Sequence, residues 1–412
     1  MRHPATCVAI DVGTTKICTL VGQPLSNGEV EVTGVGVTPA KGLLKGVIVD
    51  LDDASEAIRA SVQRAERSSG TRILSAHVGI TGSHVSAINS RSTVTINRHD
   101  RLVTDDDVAR VLEGGRSAAS FPSNREVIHV VPRSYVLDGL EGVRNPVGLY
   151  GFRLDAEVHI ILGAVTSIQN LTKCVENAGV RVENLVLEPL ASAEAVLSDD
   201  ERETGVALVD VGGGTTDVAV FFNGSIGHTA VLPLGGNQFT QDLVIGLRTP
   251  FAAAEQAKIT AGSAEPAAID RDQMVELNAF GAGGTRPVSR RLVSEILRAR
   301  SDELIELAYA AIRGSGYNDL LPAGFVFTGG AANLLGLAEL AEQTTKLPAR
   351  VGVPGGVTGL VDTLRNPAYA TSVGLLHWAA RYGEEERPEH QDRGPAILHW
   401  LQNLLHFLRL GG

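Results

Sequence analysis

The chain has 412 residues, 43% of them apolar and 20% charged, with 36 Lys and Arg against 47 Asp and Glu for a formal net charge of −11. That composition is globular, which excludes disorder of the whole chain. The acidic balance excludes a protein that binds nucleic acid by neutralising phosphates over a broad surface. The length predicts two or three domains, with cores large enough to need no covalent staple. Cys7, Cys18 and Cys174 contain no CxxC pair, so neither a zinc site nor a disulfide framework is expected, and a reducing compartment is. No signal-peptide pattern precedes the first strand and no run of 18 apolar residues occurs, which predicts a cytoplasmic protein without a spanning helix.

In chain order, residues 7–20 (CVAIDVGTTKICTL) predict a strand, a glycine turn and a second strand, and residues 29–37 a third. Residues 50–67 predict a helix, with acids in its first turn, Arg67 in its last and Gly70 as its stop. A strand follows at 73–80. The texture changes at Gly82: short β-like runs at 93–97, 126–131 and 157–162 surround one helix that starts at Thr104, an N-cap with Asp107 three residues on. Residues 82–162 therefore read as an inserted α+β unit. A helix from Ser167 ends at Gly179. Residues 206–222 (VALVDVGGGTTDVAVFF) repeat the strand, glycine turn, strand pattern. Helices are expected at 239–247 and 250–260, loops or a hairpin over 261–287, a long amphipathic helix at 289–313 and a short strand at 325–327. Residues 383–394 (GEEERPEHQDRG) read as a polar linker.

The repeat carries the chemistry. Asp11-Val12-Gly13-Thr14-Thr15 and Asp210-Val211-Gly212-Gly213-Gly214-Thr215-Thr216-Asp217 share one grammar almost 200 residues apart: an apolar run, Asp, Gly, paired Thr, an apolar run. An Asp at a strand end holds Mg²⁺ through water. Neighbouring glycines let backbone N–H groups reach phosphate oxygens, and Thr hydroxyls and Lys16 add donors and positive charge. One such turn by itself is an ordinary hairpin signal; two copies predict two α/β halves facing a phosphate-binding cleft. No GxxxxGK[ST] occurs, and Gly34-Val35-Gly36 is only half of GxGxxG with no helix signal after it, which excludes P-loop and Rossmann sites.

These phrases resemble the actin, hexokinase and Hsp70 superfamily. The resemblance implies an α/β, actin-like two-domain fold with an ATP cleft. It assigns one phosphate loop to Asp11, Gly13, Thr14, Thr15 and Lys16 and a second to Asp210, Gly212, Gly213, Gly214, Thr215 and Thr216. It assigns the adenosine motif to Gly329 and Gly330 and a helix near the base and ribose to Glu255 and Lys258, although a Glu/Lys pair three apart is common on any helix face. Asp11 and Asp210 become the Mg²⁺ carboxylates. Glu188, in Leu187-Glu188-Pro189, takes the role of orienting an attacking water; the plainer alternative is a surface Glu before a Pro-bounded helix.

The resemblance narrows to the FtsA family of bacterial cell-division proteins on KGVIVDLDDASEAIRASVQRAE, VLEPLASAEAVL, GVALVDVGGGTTDVAVFFNGSIGHTAVLPLGGN and SGYNDLLPAG. The insertion falls where that family has subdomain 1C in place of actin's 1B. The implied division is subdomain 1A at 1–81, 163–195 and 366–382, 1C at 82–162, 2A at 196–240 and 320–365, and 2B at 241–319. Also implied are ATP-dependent polymerisation with itself, at most slow ATP hydrolysis and contacts with other divisome proteins through 1C. The family further implies docking of the FtsZ C-terminal peptide on 2B and a place on the inner face of the cytoplasmic membrane at the division site. Arg290, Arg291, Arg298 and Arg300 are the candidate contacts for that acidic peptide, the alternative being solvated helix-face charges.

Residues 395–410 (PAILHWLQNLLHFLRL) test the membrane expectation independently. At 100° per residue, His399, Gln402, Asn403, His406 and Arg409 share one arc, and Ile397, Leu398, Trp400, Leu401, Leu404, Leu405, Phe407 and Leu408 the opposite one. Sixteen residues rise about 24 Å, short of a roughly 30 Å bilayer core, so this helix is expected to lie in the membrane surface. With one Arg and no Lys on its polar face, binding should be mainly hydrophobic, insensitive to salt, and stronger below about pH 6.5 as the histidines charge. The alternative is a helix docked on its own domain. Two rival functions share the superfamily fold: a PilM-type pilus assembly adaptor, which lacks such a helix, and a small-molecule kinase, for which no acceptor-positioning Asp stands out.

Overall fold

The computed structural model describes residues 6–280 and 284–382. The amphipathic segment 395–410 and the linker 383–394 lie outside the described residues. The first apolar run forms strand β1 (Cys7–Val12) and returns antiparallel as β2 (Lys16–Pro24), with Val12 opposite Ile17 and Asp11 opposite Cys18. β3 (Val30–Pro39) adds to β2 with the alternating burial of a half-covered strand. After the small hairpin β4 (Leu43–Leu44) and β5 (Val47–Ile48), α1 (Leu51–Ser69) starts where the Asp50 carboxylate accepts the N–H groups of Asp52 and Asp53. α1 lies on β3 so closely that a Cβ at Gly36 would meet the carbonyl of Ser61, whose hydroxyl donates to the Gly36 carbonyl at 2.7 Å. The half-motif Gly34-Val35-Gly36 is therefore a helix-packing surface. β6 (Ser75–Ile80) then runs parallel to β1.

The insertion follows as β7 (Ser86–Thr95), α2 (Asp105–Ala118), β8 (Arg125–Leu137), β9 (Leu140–Val143) and β10 (Arg153–Ala164), a four-stranded sheet in the order β7-β10-β8-β9 with its own core around Leu112, Tyr135, Leu154 and Ile160. Its strands are longer than their apolar runs suggest. From Ile88 onward β7 alternates partly buried and exposed residues, so polar side chains occupy one face and hide the strand from an apolar-run reading. At α2 the Asp107 carboxylate accepts both the N–H and the hydroxyl of Thr104.

The chain returns through α3 (Val165–Asn177), β11 (Arg181–Leu187), which pairs in parallel with β6, α4 (Glu188–Val196) and α5 (Asp199–Thr204). The second half repeats the first. β12 (Val206–Val211), β13 (Thr216–Phe222) and β14 (Ser225–Leu232) form an antiparallel triplet. α6 (Gly236–Leu247), α7 (Phe251–Ala261), the hairpin β15 (Met274–Asn278) and β16 (Thr285–Ser289), and α8 (Arg290–Gly314) intervene. β17 (Phe325–Thr328) pairs in parallel with β12, α9 (Leu337–Thr345) crosses over, and β18 (Ala349–Val351) extends the sheet. β19 (Val357–Gly359) closes the first sheet against β3, and α10 (Ala370–Tyr382) packs against α4 and that sheet.

The two sheets have one plan. The first runs β11-β6-β1-β2-β3-β19 and the second β18-β17-β12-β13-β14: in each, two parallel strands flank an antiparallel triplet on one side, and in the first β19 adds a parallel strand on the other. The repeat read in the sequence is thus a repeat of topology. The inserted sheet reaches the second half through His159, whose Nε2 lies 3.0 Å from the Thr229 hydroxyl, and through Arg133, which donates to the Tyr317 hydroxyl.

Candidate functional site

Each triplet opens with the same turn. The Gly13 N–H donates to the Lys16 carbonyl at 3.1 Å and the Gly212 N–H to the Thr215 carbonyl at 2.9 Å, and each first strand ends one residue after its Asp. The paired registers align Gly13 with Gly212, Lys16 with Thr215 and Cys18 with Asp217. The paired threonines of the two phrases are therefore not equivalent. Thr14 and Thr15 occupy the places of Gly213 and Gly214, and the two turns interlock there. A Cβ on Gly213 would meet the Thr15 side chain, and one on Gly214 would lie 2.8 Å from the Thr14 hydroxyl oxygen. The glycines are needed for this approach of the halves.

Four carboxylates converge behind the turns. Asp11 is 4% exposed and accepts from the Ser372 hydroxyl at 2.5 Å. Asp210 accepts from Ser192 at 2.5 Å and Thr371 at 3.1 Å. Asp217 accepts from the Thr81 hydroxyl. Glu188 opens α4, only 9% exposed and packed beside Gly79 of β6, so it is not a surface residue. Burial raises the Glu188 carboxyl well above its ordinary value, and the charges of Asp11, Asp217 and Asp210 add to this, while Lys16 opposes it. Burial and the Asp210 charge push Asp217 up to about 8, against the Thr81 hydrogen bond. Asp210 is also raised, first by burial. The Lys16 ammonium donates to the Ala368 carbonyl and lies 4.9 Å from the Tyr369 ring centroid.

The remaining candidate residues gather around the second turn. The N–H groups of Gly236 and Asn237 donate to the carbonyls of Gly212 and Gly213, both at 2.8 Å. Lys258 of α7 donates to the Gly236 carbonyl at 3.0 Å and the Thr240 hydroxyl at 2.9 Å, and pairs with Glu255 at 2.7 Å. Gly329, with φ of 83°, presses against Asp210 and the Val211 carbonyl, where a Cβ has no room, and Gly330 is exposed beside it. The structure thus brings together every candidate phosphate, adenosine and metal residue. No sequence pattern marks Thr81, Ser192, Thr371 or Ser372, because each reaches its carboxylate from another part of the chain.

Among the described residues no group of three or more His, Cys, Asp or Glu is arranged to hold a metal by itself. Two buried carboxylates at paired strand ends fit Mg²⁺, which takes one or two protein carboxylates and completes its shell with water and phosphate oxygens. The four candidate peptide-binding arginines all have intramolecular partners. Arg290 donates to the Ala261 carbonyl and Gln273, Arg291 pairs with Glu295, Arg298 with Asp302, and Arg300 grips Asp242 of α6 through two bonds of 2.6 and 2.9 Å.

A family model described as "Cell division protein FtsA" matches residues 207–374, and one described as "SHS2 domain inserted in FTSA" matches residues 82–162. The chain is 44% identical over 369 residues to the cell division protein FtsA of Pseudomonas aeruginosa, covering 90% of this chain and 88% of that one. Among solved structures, a PilM-PilN type IV pilus biogenesis complex aligns with a TM-score of 0.65 at 16% identity, over 92% of this chain and 99% of that one. MreB5 of Spiroplasma citri bound to AMPPNP aligns with a TM-score of 0.54 at 14% identity, over 90% and 95%. At these identities the structural likenesses carry the fold, which is the actin-like one that the sequence resemblance implies.

Proposed function

The chain belongs to the FtsA family of cell division proteins, and from that premise we propose that it binds ATP and Mg²⁺ between its two glycine turns, assembles into a filament and tethers FtsZ polymers to the cytoplasmic membrane. The observation that carries the reading is the pair of equivalent turns facing each other over buried Asp11 and Asp210. Asp11 and Asp210 would hold the metal through water, and the metal supplies positive charge against the phosphates. The N–H groups of the two turns and the Lys16 ammonium bind phosphate oxygens. Gly330, open beside the tightly packed Gly329, leaves space for the nucleoside, with Glu255 and Lys258 at its edge. Glu188 stands among the carboxylates at the position suited to orient a water, as a base only once the site's cation has lowered its pKa. Nothing in this arrangement calls for fast turnover, and the protein acts as an adaptor with at most slow ATP hydrolysis.

Membrane attachment rests on residues 395–410, partner docking on the 2B region with its half-buried Arg291, and self-assembly on the family. Vesicle co-sedimentation with and without ATP tests the whole, using the full chain, a chain ending at Gly394 and Asp210→Ala. Lipid binding should vanish on truncation, and ATP-driven assembly on lipid should need Asp210. Vesicle binding by the truncated chain sinks the tethering reading.

A further inference from the structure

Away from the nucleotide cleft the molecule contains an apolar cavity of about 390 Å³. It opens where the inserted sheet, the edge of the first sheet and the second half meet. Ile128, Leu190, Phe221, Ile226, Trp378 and Tyr382 line it. The Trp378 and Tyr382 rings lie 4.7 Å apart, tilted by 52°, and Trp378 sits 5.7 Å from the His129 ring. Arg202 also lines the cavity, and its Nε is buried with no hydrogen-bond partner. The rim carries Glu126 and Glu183; the His77 hydrogen bond and the Ser75 hydroxyl hold Glu183 down at about 2, so it stays ionised.

Tyr382 is also the last residue of α10 and the last of the described residues. The next twelve residues, 383–394, are polar and span at most about 40 Å. After them comes the segment whose apolar arc holds Trp400 and Phe407 and whose polar arc holds His399, His406 and Arg409. An apolar cavity, an acidic rim and an unpartnered donor thus stand at the root of a tether that carries an apolar face and a weakly basic one. A tether this short supplies an effective concentration on the order of millimolar. We propose that, away from a membrane, residues 395–410 fold back and seat Trp400 in this cavity, so that docking and membrane binding compete for one apolar face. The inference rests on the amphipathic reading of that segment and goes beyond tethering: the membrane helix carries its own storage site, and lipid must displace it.

The sequence contains two tryptophans, Trp378 and Trp400, which makes the test direct. In the full chain carrying Trp378→Phe, Trp400 is the one tryptophan reporter. Without lipid its emission should lie at short wavelength, and acrylamide should quench it several-fold less than in a free peptide of residues 395–410. Adding Ile128→Arg or Thr172→Arg, at two half-buried positions on the cavity wall, should restore peptide-like quenching. Both should tighten binding to vesicles of phosphatidylcholine and phosphatidylglycerol several-fold, with circular dichroism and melting confirming that the variant is folded. Peptide-like quenching in the unblocked chain overturns the proposal. So does protection that survives both folded blocking variants, or protection lost on dilution, which would place Trp400 on a second copy. A chain that shows protected Trp400 but never binds vesicles refutes the membrane reading instead, so the two failures are distinguishable.

Discussion

Replacing Asp217 by Asn isolates the electrostatic tension of the cleft. Asp217 is 3% exposed and its carboxyl is raised from 3.8 to about 8, by burial and then by Asp210. A group raised in the folded state contributes stability below its unfolded pKa and loses it as pH climbs through the folded value, here between about pH 4 and pH 8. At pH 7 the gap is roughly three units, and at 1.36 kcal/mol per unit the charge costs about 4 kcal/mol. With about 2.1 cal/mol/K of unfolding entropy per residue over the whole chain, that is roughly 5 °C in Tm. Asn keeps an oxygen to accept the Thr81 hydroxyl and removes the charge. Calorimetry in EDTA without nucleotide should find Asp217→Asn melting above the parent, by roughly 2 to 3 °C more at pH 8 than at pH 6.5. This window lies above the range where His129, lowered to about 4 by burial, and His159, lowered to about 3 by burial and by Arg133, add an opposite slope. A variant that melts below the parent, or a difference that does not change with pH, refutes the reasoning.

Other substitutions separate the parts of the site. Gly214→Val puts a branched side chain against Thr14 and should weaken ATP binding at least tenfold by equilibrium titration, with circular dichroism retained. Glu188→Gln keeps the size of the side chain and removes its capacity to accept a proton while leaving the turns intact, so nucleotide affinity should persist while phosphate release falls about 10²-fold or more. Arg300→Ala breaks a two-bond pair with Asp242 at about a quarter exposure and should cost about 1 kcal/mol in thermal stability. Arg291 has one exposed partner, Glu295, so if the arginines meet an acidic peptide, Arg291→Ala should weaken that peptide by fluorescence anisotropy without moving the melting temperature.

Both turns were legible because the same Asp, Gly and Thr phrase recurs between apolar runs almost 200 residues apart, whereas one copy is an ordinary hairpin signal. The long helices were legible by period and caps: Asp50 and Thr104 cap α1 and α2 in the structure, each with an acid in the first turn. What holds the carboxylates was not legible. Ser372 reaches Asp11 across 361 positions and Thr371 reaches Asp210 across 161, and single hydroxyls in helices carry no periodic signal. The register of the repeat was also hidden, because matching letters aligned Thr with Thr whereas strand pairing aligns Thr14 and Thr15 with glycines. Polar faces likewise concealed the length of the inserted strands, and the cavity at Tyr382 arises where four parts of the chain meet.

The register also exposes an asymmetry with a consequence for ligand binding. Opposite its first acid, the first hairpin places Cys18 and the second places Asp217; at the turn, the first has Lys16 and the second Thr215. One half therefore contributes an acid and a base, and the other two acids. Glu188 between them is acted on by three carboxylates and one lysine. A nucleotide triphosphate entering this cleft alone would add negative charge to a buried negative cluster, where screening by water is weak. Entry should therefore require a divalent cation far more than a site built on several lysines would. Titration with a fluorescent ATP analogue should show affinity falling at least a hundredfold in EDTA, and above about pH 8, where Asp217 ionises, Asp217→Asn should recover part of that loss because it removes one of the repelling charges. Equal affinity with and without Mg²⁺ would mean that the phosphates bind away from the carboxylates, and the two-turn site would fail with it.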